Sequence, residues 1–558
     1  MRPPISFIYG NCVFAAGLND CWAAFSVELS SYQWLSDDGK RARFLSLLGA
    51  LEATEADLQI LRVTRRWDVH RYAQEMDGEL PAGQADGPAQ ARRRYVADHL
   101  RRLRDVGQTR PALFVLVSLR EPERDIASYV SSAAAQHPSE WWHVLRRAFS
   151  LRDRRLLHVA ELERARVRAD QTHARLADFL PVRPARGVEL QWLVRRAFCR
   201  GLGEPQIDGL HEPRALVFER NGEAVLAPLE GDVMRWTDSY VEHKGRALRV
   251  ESELGTSWQA HLVLGALPEQ AQFPGARAEL MFAPAESLPF ATDLSLNARF
   301  LPNELALRIA RKRIQDADQI LRAESDGDQG VSDLGFARTQ EARDLLAYLQ
   351  ASSRPPLLRA TLAVAVGARS EEELEERVEM CRRAYGEIRL HRPLGDQLQL
   401  FLQQLPAQRT RVAGYDDTLT TEQVAAMMPT AAHEAGSRRG FYLGYSLTAS
   451  RQPVRFNLRE GSDSDRNAAI LSVGALGSGK TTLDQKLKYE AFLLGAQRDA
   501  LGVGSNLIKE VKAMVALRVA VDDARPEKEG LVLQLLVEGR LARSQRAHAQ
   551  DRCVAVAV

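Results

Sequence analysis

A glycine-rich segment near the carboxyl end of the sequence carries residues suited to phosphate chemistry. Residues 474–481 read GALGSGKT and match the pattern G-x-x-x-x-G-K-[ST] at every required position. Gly474, Gly477 and Gly479 allow a tight bend whose backbone N–H groups point inward and form a nest for anions. The positive end of a following helix would face the same spot, so the segment predicts a phosphate-binding loop.

Lys480 and Thr481 make the expected ligand more specific. We expect the Lys480 ammonium to reach the β- and γ-phosphates of ATP, and the Thr481 hydroxyl to ligate Mg²⁺. Thr482 could add a contact to the α-phosphate. A glycine-rich turn that binds nothing is the alternative, but such a turn needs neither the lysine nor the threonine. The full set of expected nucleotide-binding residues is Gly474, Gly477, Ser478, Gly479, Lys480, Thr481 and Thr482.

The segments on either side of the loop provide the context that the motif requires. Residues 469–473 form a short apolar run suited to a buried parallel strand. After the loop, apolar residues recur on one face at helical spacing, and Gly495 can end the helix. These apolar residues are Leu483, Leu487, Ala491 and Leu494. The sequence therefore predicts a strand, a loop and a helix in that order.

Upstream of the loop, strand-like and helix-like patterns alternate. Residues 58–63 and 111–119 read as strands, and residues 39–51 and 90–103 read as helices. Two hairpins are predicted as well, one turning at Asn221-Gly222 and one around Gly255.

A strand at 357–366, a helix and a returning strand at 387–391 form a predicted β-α-β unit. Its helix begins with Ser370 and Glu373 at capping-box spacing and can end at Gly386. The predicted fold class is therefore mixed α/β and α+β. We divide the chain into an N-terminal α+β domain (1–200), a β-rich segment (201–300), a helical and β-α-β domain (301–435) and a partial P-loop NTPase domain (436–558).

The composition restricts the class of protein. The 558 residues include 75 basic and 73 acidic side chains, so the overall charge gives no case for nucleic-acid binding across the whole surface. Five cysteines share no C-x-x-C spacing, which disfavours a disulfide framework or a thiolate zinc site. With no leader pattern and no apolar run of membrane-spanning length, we expect a cytoplasmic protein, with any membrane association peripheral and through partners.

Several segments resemble the conjugative-transfer ATPases of type IV secretion systems, in the TraC-like branch. The resemblance depends mainly on AAILSVGALGSGKTTL with its lead-in PVRFNLRE, and on SSYQWLSDDGKRARFLSLLGALEATEADLQILRV near the start. Weaker similarities are LPFATDL, AAMMPTA and GSRRGFYLGYSL. This resemblance implies an N-terminal α+β region that docks on the secretion machinery. It further implies a RecA-like motor that assembles as a homo-oligomeric ring at the inner face of the membrane.

A motor of this kind also needs a second strand that ends in an acidic pair and an arginine finger. The only candidate for the acidic pair is Asp522 and Asp523, at the end of VALRVAVDD, where Arg518 interrupts the apolar run. An edge strand that ends in a polar turn explains the same pattern. The chain ends soon after the loop, and we expect it to be truncated or altered there. Three hypotheses stay open: a motor ATPase, a component that binds ATP without hydrolysing it, and a damaged family member without nucleotide binding.

Overall fold

The structure is a computed structural model in which only part of the chain is described. The described residues are 4–15, 20–78, 86–106, 108–120, 157–207, 209–220, 223–229, 232–237, 239–265, 273–275, 277–325, 333–386, 388–412, 414–433, 436–437, 440–446, 452–457, 468–473, 479–493, 532–539 and 552–557.

Strands and helices are numbered in chain order. The strands are β1 (Ile5–Tyr9), β2 (Cys12–Ala15), β3 (Cys21–Val27), β4 (Ser30–Ser31), β5 (Leu58–Arg66), β6 (Thr109–Ser118), β7 (Leu157–His158), β8 (Val182–Pro184), β9 (Ala215–Arg220), β10 (Glu223–Pro228), β11 (Tyr240–Lys244), β12 (Ala247–Ser252), β13 (Gly255–Leu264), β14 (Thr292–Leu301), β15 (Leu357–Ala368), β16 (Leu390–His391), β17 (Asp417–Thr420), β18 (Ala431–Ala432), β19 (Phe441–Tyr445), β20 (Pro453–Phe456), β21 (Ala468–Val473), β22 (Val532–Gly539) and β23 (Arg552–Ala557). The helices are α1 (Asp37–Thr54), α2 (Val69–Gly78), α3 (Asp86–Val106), α4 (Val159–Ala177), α5 (Gly187–Phe198), α6 (Ala283–Ser287), α7 (Asn303–Ser325), α8 (Asp333–Leu349), α9 (Glu371–Tyr385), α10 (Gln397–Gln403), α11 (Thr421–Ala426) and α12 (Lys480–Leu493).

The described residues form two compact units, and both are discontinuous in sequence. The first unit comprises Met1–Leu29, Lys40–Val63 and Ala112–Thr430. The second unit comprises Ser30–Gly39, Thr64–Pro111 and Ala431–Val558. Helices and a large, mainly antiparallel sheet occur together, so the α+β part of the predicted fold class is confirmed.

The first unit is built on a sheet to which thirteen of the described strands belong. Its main path runs β1-β2-β3-β6-β5-β14-β15-β13-β12-β11, and β8, β16 and β17 pair at its sides. Both predicted hairpins are confirmed: β9 pairs antiparallel with β10, and β12 with β13. Strand β15 lies in the middle of the sheet because its nearly continuous apolar sequence suits burial on both faces.

The predicted β-α-β unit is present as β15, α9 and β16. Strand β13 pairs antiparallel with both β15 and β16 and therefore separates them. At the start of α9, the Ser370 hydroxyl accepts a hydrogen bond from the Glu373 N–H at 3.2 Å. The Glu373 carboxylate accepts from the Arg369 N–H at 2.8 Å, one residue before the position that a capping box predicts. Gly386 follows the helix with φ +57°, as expected for a glycine at a helix end.

The second unit has its own hydrophobic core, which joins sequence-distant segments. Helices α2 and α3 contribute Tyr72 and Tyr95, β19 contributes Phe441 and Tyr442, and Leu493 comes from the end of α12. Trp67 stacks on Tyr442 with ring centroids 5.8 Å apart. The helix after the glycine-rich loop is therefore packed in a core that contains residues from near the start of the chain.

One expectation about the loop region is wrong. The strand before the loop, predicted at 469–473 as part of a parallel sheet, is present as β21, but its partner among the described strands, β22, runs antiparallel to it. An apolar run predicts a buried strand without specifying the direction of its neighbour, which depends on residues far away in the sequence.

None of the helices in the described part of the chain is both long enough and apolar enough to cross a membrane.

Candidate phosphate-binding site

The glycine-rich loop lies between a strand and a helix, as its sequence predicts. Strand β21 ends at Val473 and α12 begins at Lys480. Gly474, Gly477 and Ser478 lie outside the described residues. Gly479 is described and has φ +80°, a left-handed conformation that glycine adopts without strain. Its carbonyl accepts the first hydrogen bond of the helix, from the Leu483 N–H at 3.0 Å.

The first turn of α12 presents the side chains that the motif assigns to the nucleotide. Thr481 and Thr482 are exposed, and Lys480 is half-buried. The N–H groups in the first turn of an α-helix have no carbonyl partner within the helix, and the helix dipole makes this end positive. The structure thus places Lys480, Thr481 and Thr482 together at a helix end that favours anions.

Buried apolar side chains hold α12 within the second unit. Leu483 and Leu487 are buried, at 6% and 4% exposure, and Leu493 is fully buried. The apolar face predicted from the sequence is thus confirmed at Leu483 and Leu487. The helix ends at Leu493, whereas Leu494 and Gly495 lie outside the described residues.

Polar contacts also anchor α12, and sequence patterns did not predict them. The Glu490 carboxyl group is only 1% exposed and accepts a hydrogen bond from the Tyr95 hydroxyl at 2.6 Å. One turn earlier, the Lys486 ammonium donates to the carbonyls of Tyr442 and Leu443 at 3.1 and 3.3 Å. It also lies 3.8 Å from Glu490. The spacing of Lys486 and Glu490 is typical of an exposed helical ion pair, so the sequence alone did not predict the burial of Glu490.

The neighbouring strand β19 is held by a similar set of contacts. The Tyr442 hydroxyl accepts from Gln108 Nε2 at 2.5 Å, and the Tyr442 N–H donates to the Tyr72 hydroxyl at 3.2 Å. Burial raises the pKa of Tyr442 to about 12, so its hydroxyl stays protonated at neutral pH. These contacts hold in place the part of β19 whose backbone carbonyls, those of Tyr442 and Leu443, accept hydrogen bonds from Lys486.

Asp522 and Asp523 lie outside the described residues. The next described element, β22, runs antiparallel to β21, with Gln534 opposite Val473 and Gly539 opposite Ala468. Its carboxyl end is therefore about five residues, roughly 17 Å, from the end of β21 that leads into the loop.

No metal-ligand cluster accompanies the loop within the described residues. That part of the chain contains no group of three or more His, Cys, Asp or Glu side chains that could hold a metal ion. The only residue assigned to Mg²⁺ from the sequence is Thr481. Its exposed hydroxyl beside Lys480 suits an ion that is held mainly by nucleotide phosphates and water.

A second group of buried polar side chains lies within the first unit. Asp293 on β14 accepts from Arg200 Nε at 2.8 Å and from Arg196 Nη2 at 3.4 Å, and Arg200 also donates to Gln259 at 3.3 Å. All four residues are at most 6% exposed. Desolvation lowers the pKa of Arg200, although Asp293 opposes this change. No sequence motif marks these residues, because the burial of an arginine depends on tertiary packing.

Comparison with known proteins adds no family assignment. No protein-family model matches the sequence, and no curated protein matches it significantly.

Proposed function

We propose that the chain binds ATP together with Mg²⁺ through the segment Gly474–Thr481. The observation that carries this proposal is the start of α12 at Lys480, directly after a loop whose sequence matches G-x-x-x-x-G-K-[ST]. The left-handed Gly479 and the exposed Thr481 and Thr482 support it. A glycine-rich turn without a ligand requires neither Lys480 nor Thr481.

Each part of the segment has a distinct role in this proposal. Backbone N–H groups of the loop and the positive end of α12 bind phosphate oxygens. The Lys480 ammonium neutralises charge on the β- and γ-phosphates, and the Thr481 hydroxyl is a ligand for Mg²⁺. When bound, the ion neutralises phosphate charge. The packing of α12 keeps these groups in place, because Leu483 and Leu487 are buried within the two turns that follow Lys480.

The resemblance to conjugative-transfer ATPases gives the proposed biological role. In this role, the chain is the RecA-like ATPase that supplies energy to DNA or protein transfer in type IV secretion. It acts as a homo-oligomer on the machinery at the inner face of the membrane. Support comes from the loop, its flanks and the scattered segments named above, and the role requires ATP turnover.

One structural observation favours an alternative, a component of the same machinery that binds ATP without hydrolysing it. Because β22 is antiparallel to β21, an acidic residue at its carboxyl end would be about 17 Å from the loop. Hydrolysis would then depend on Asp522 and Asp523 or on another chain.

Replacement of Lys480 tests nucleotide binding. We expect Lys480→Ala to weaken ATP·Mg²⁺ binding by roughly 10- to 100-fold, since a charged hydrogen bond contributes about 1.5–3 kcal/mol. Binding is measured by calorimetry. The matched control is Lys488→Ala, which removes a lysine from the same helix where it pairs with Asp484 at 2.8 Å. Equal affinity in the wild type, Lys480→Ala and Lys488→Ala would contradict the proposed site.

Measurement of phosphate release from ATP then distinguishes the motor ATPase from the component that binds ATP without hydrolysing it. The motor requires release that depends on ATP and is lost in Lys480→Ala. The alternative requires an ATP-dependent rise in melting temperature without phosphate release, because a ligand that binds only the folded state stabilises it.

A further inference from the structure

A β-bulge in strand β19 lies where helix α12 contacts that strand. Strand β19 pairs antiparallel with β20, with Tyr442 opposite Arg455 and Gly444 opposite Val454. Leu443 is an extra residue between them, and β20 has no counterpart to it. A bulge takes backbone groups out of the regular pattern of hydrogen bonds between strands, and such groups need partners from elsewhere when they are buried. The bulge thus presents backbone carbonyls that a neighbouring element can bind.

The Lys486 ammonium of α12 binds two carbonyls at this bulge. It donates to the carbonyl of Tyr442 at 3.1 Å and to that of Leu443 at 3.3 Å. Hydrogen bonds from a charged donor are roughly twice as strong as those between neutral groups. Both acceptors belong to backbone that strand pairing holds in place. One side chain of α12 therefore joins the helix to a defined point on β19.

A second polar contact holds α12 one turn after Lys486. The Tyr95 hydroxyl of α3 donates to the buried Glu490 carboxyl group at 2.6 Å. The ring of Tyr95 also packs edge-on against Phe441 of β19, with ring centroids 5.7 Å apart. Helices α3 and α12 and strand β19 are thus joined to one another within the core of the second unit.

These contacts determine how α12 is rotated about its axis and how far it extends toward the glycine-rich loop. The apolar contacts of Leu483 and Leu487 are non-directional and tolerate a small rotation. Hydrogen bonds weaken steeply when donor and acceptor are misaligned, so the contacts of Lys486 and Glu490 oppose such a rotation. Lys480 begins the same helix, about 9 Å from Lys486 along the axis, and moves with it. A binding group must be held within about 0.5 Å and 10–20° of its working position.

We propose that Lys486 is a positioning residue for the phosphate-binding segment. By anchoring α12 to the bulge in β19, it sets where the Lys480 ammonium lies relative to the β- and γ-phosphates. Lys486 is not itself a phosphate ligand, because its ammonium donates to backbone carbonyls about 9 Å along the helix from the end that favours anions. This inference rests on the proposed binding of ATP and Mg²⁺.

A double-mutant cycle tests the positioning role. The affinity for ATP·Mg²⁺ is measured by calorimetry for the wild type, Lys480→Ala, Lys486→Met and the double variant. We expect Lys486→Met to weaken binding roughly 3- to 10-fold, because Lys480 loses part of its alignment. The loss of affinity caused by Lys480→Ala should then be at least about threefold smaller in the Lys486→Met background than in the wild type, since a misplaced ammonium contributes less.

Two controls separate positioning from a loss of charge or of stability. Lys488→Met removes a lysine from the same helix, where it pairs with Asp484 at 2.8 Å, and should bind ATP·Mg²⁺ within about twofold of the wild type. Tyr95→Phe removes the second anchor without changing any charge, and it should weaken binding in the same direction as Lys486→Met. Urea denaturation of each variant gives the folded fraction, by which the affinities are corrected. If Lys486→Met does not fold, the cycle is built with Tyr95→Phe.

The results distinguish a failure of this inference from a failure of the proposed function. The positioning role alone is overturned if the wild type binds ATP·Mg²⁺, Lys480→Ala weakens binding, and the effects of Lys480→Ala and of the anchor variant simply multiply. Equal losses of affinity in Lys486→Met and Lys488→Met overturn it as well. If the wild type does not bind ATP·Mg²⁺, both the nucleotide site and the positioning role are wrong.

Discussion

At the scale of single residues, the ion pair between Arg200 and Asp293 shows how a buried arginine depends on a neighbouring carboxylate. Their side chains are 5% and 4% exposed, and their nearest atoms are 2.8 Å apart. A guanidinium removed from water is tolerated only when an opposite charge and hydrogen bonds compensate for the lost hydration.

We expect Asp293→Asn to lower the free energy of unfolding by roughly 3–5 kcal/mol, because it leaves Arg200 buried without its carboxylate. Urea denaturation measures the change. The control is Glu379→Gln, which breaks a pair with Arg382 whose side chains are 55% and 38% exposed. That exposed pair should contribute at most about 1 kcal/mol. A loss in Asp293→Asn as small as in Glu379→Gln would show that the buried pair is not needed for stability.

At the scale of elements, helix α12 connects the candidate phosphate site to the rest of the second unit. Its first turn carries Lys480 and Thr481, and its later turns carry Lys486 and Glu490, which contact β19 and α3. Polar anchors are directional, so they fix the rotation of the helix more narrowly than apolar packing alone.

We expect Tyr95→Phe to lower the free energy of unfolding of the second unit by about 1–3 kcal/mol, since Glu490 loses its 2.6 Å hydrogen bond while it stays buried. Urea denaturation followed by tryptophan fluorescence measures this change, because Trp67 belongs to the same core. Tyr240→Phe, at a side chain that is 63% exposed, is the control and should change stability by less than about 0.5 kcal/mol. Equal stability of the two variants would show that the hydrogen bond does not anchor α12.

At the scale of the whole molecule, the two units have separate cores although both are drawn from several parts of the chain. A substitution that loosens packing in one unit should therefore lower the stability of that unit and leave the other largely unchanged, as expected for independent cooperative regions. Val96 on α3 and Val378 on α9 are equivalent probes, at 4% and 0% exposure.

We expect Val96→Ala to destabilise the second unit by roughly 2 kcal/mol and to speed amide hydrogen exchange in α12 and β19. Val378→Ala should speed exchange in α9 and β15 instead. Hydrogen exchange with mass spectrometry measures both patterns. Identical exchange maps for the two variants would mean that the chain unfolds as a single unit.

The sequence by itself determined the local elements that have strong local signals. The hairpins at β9–β10 and β12–β13, the capped helix α9 and the strand and helix around the glycine-rich loop all follow from patterns within about twenty residues. The candidate phosphate-binding residues belong to this group, because a loop and the helix after it are contiguous in the chain.

Tertiary structure alone decided which distant segments meet. It made β21 antiparallel to β22 and placed Tyr95 against Glu490. Local patterns specify whether a segment forms a helix or a strand. They do not specify which strand pairs with it or which residue makes hydrogen bonds to its buried polar groups. Those partners are selected by the packing of the whole unit.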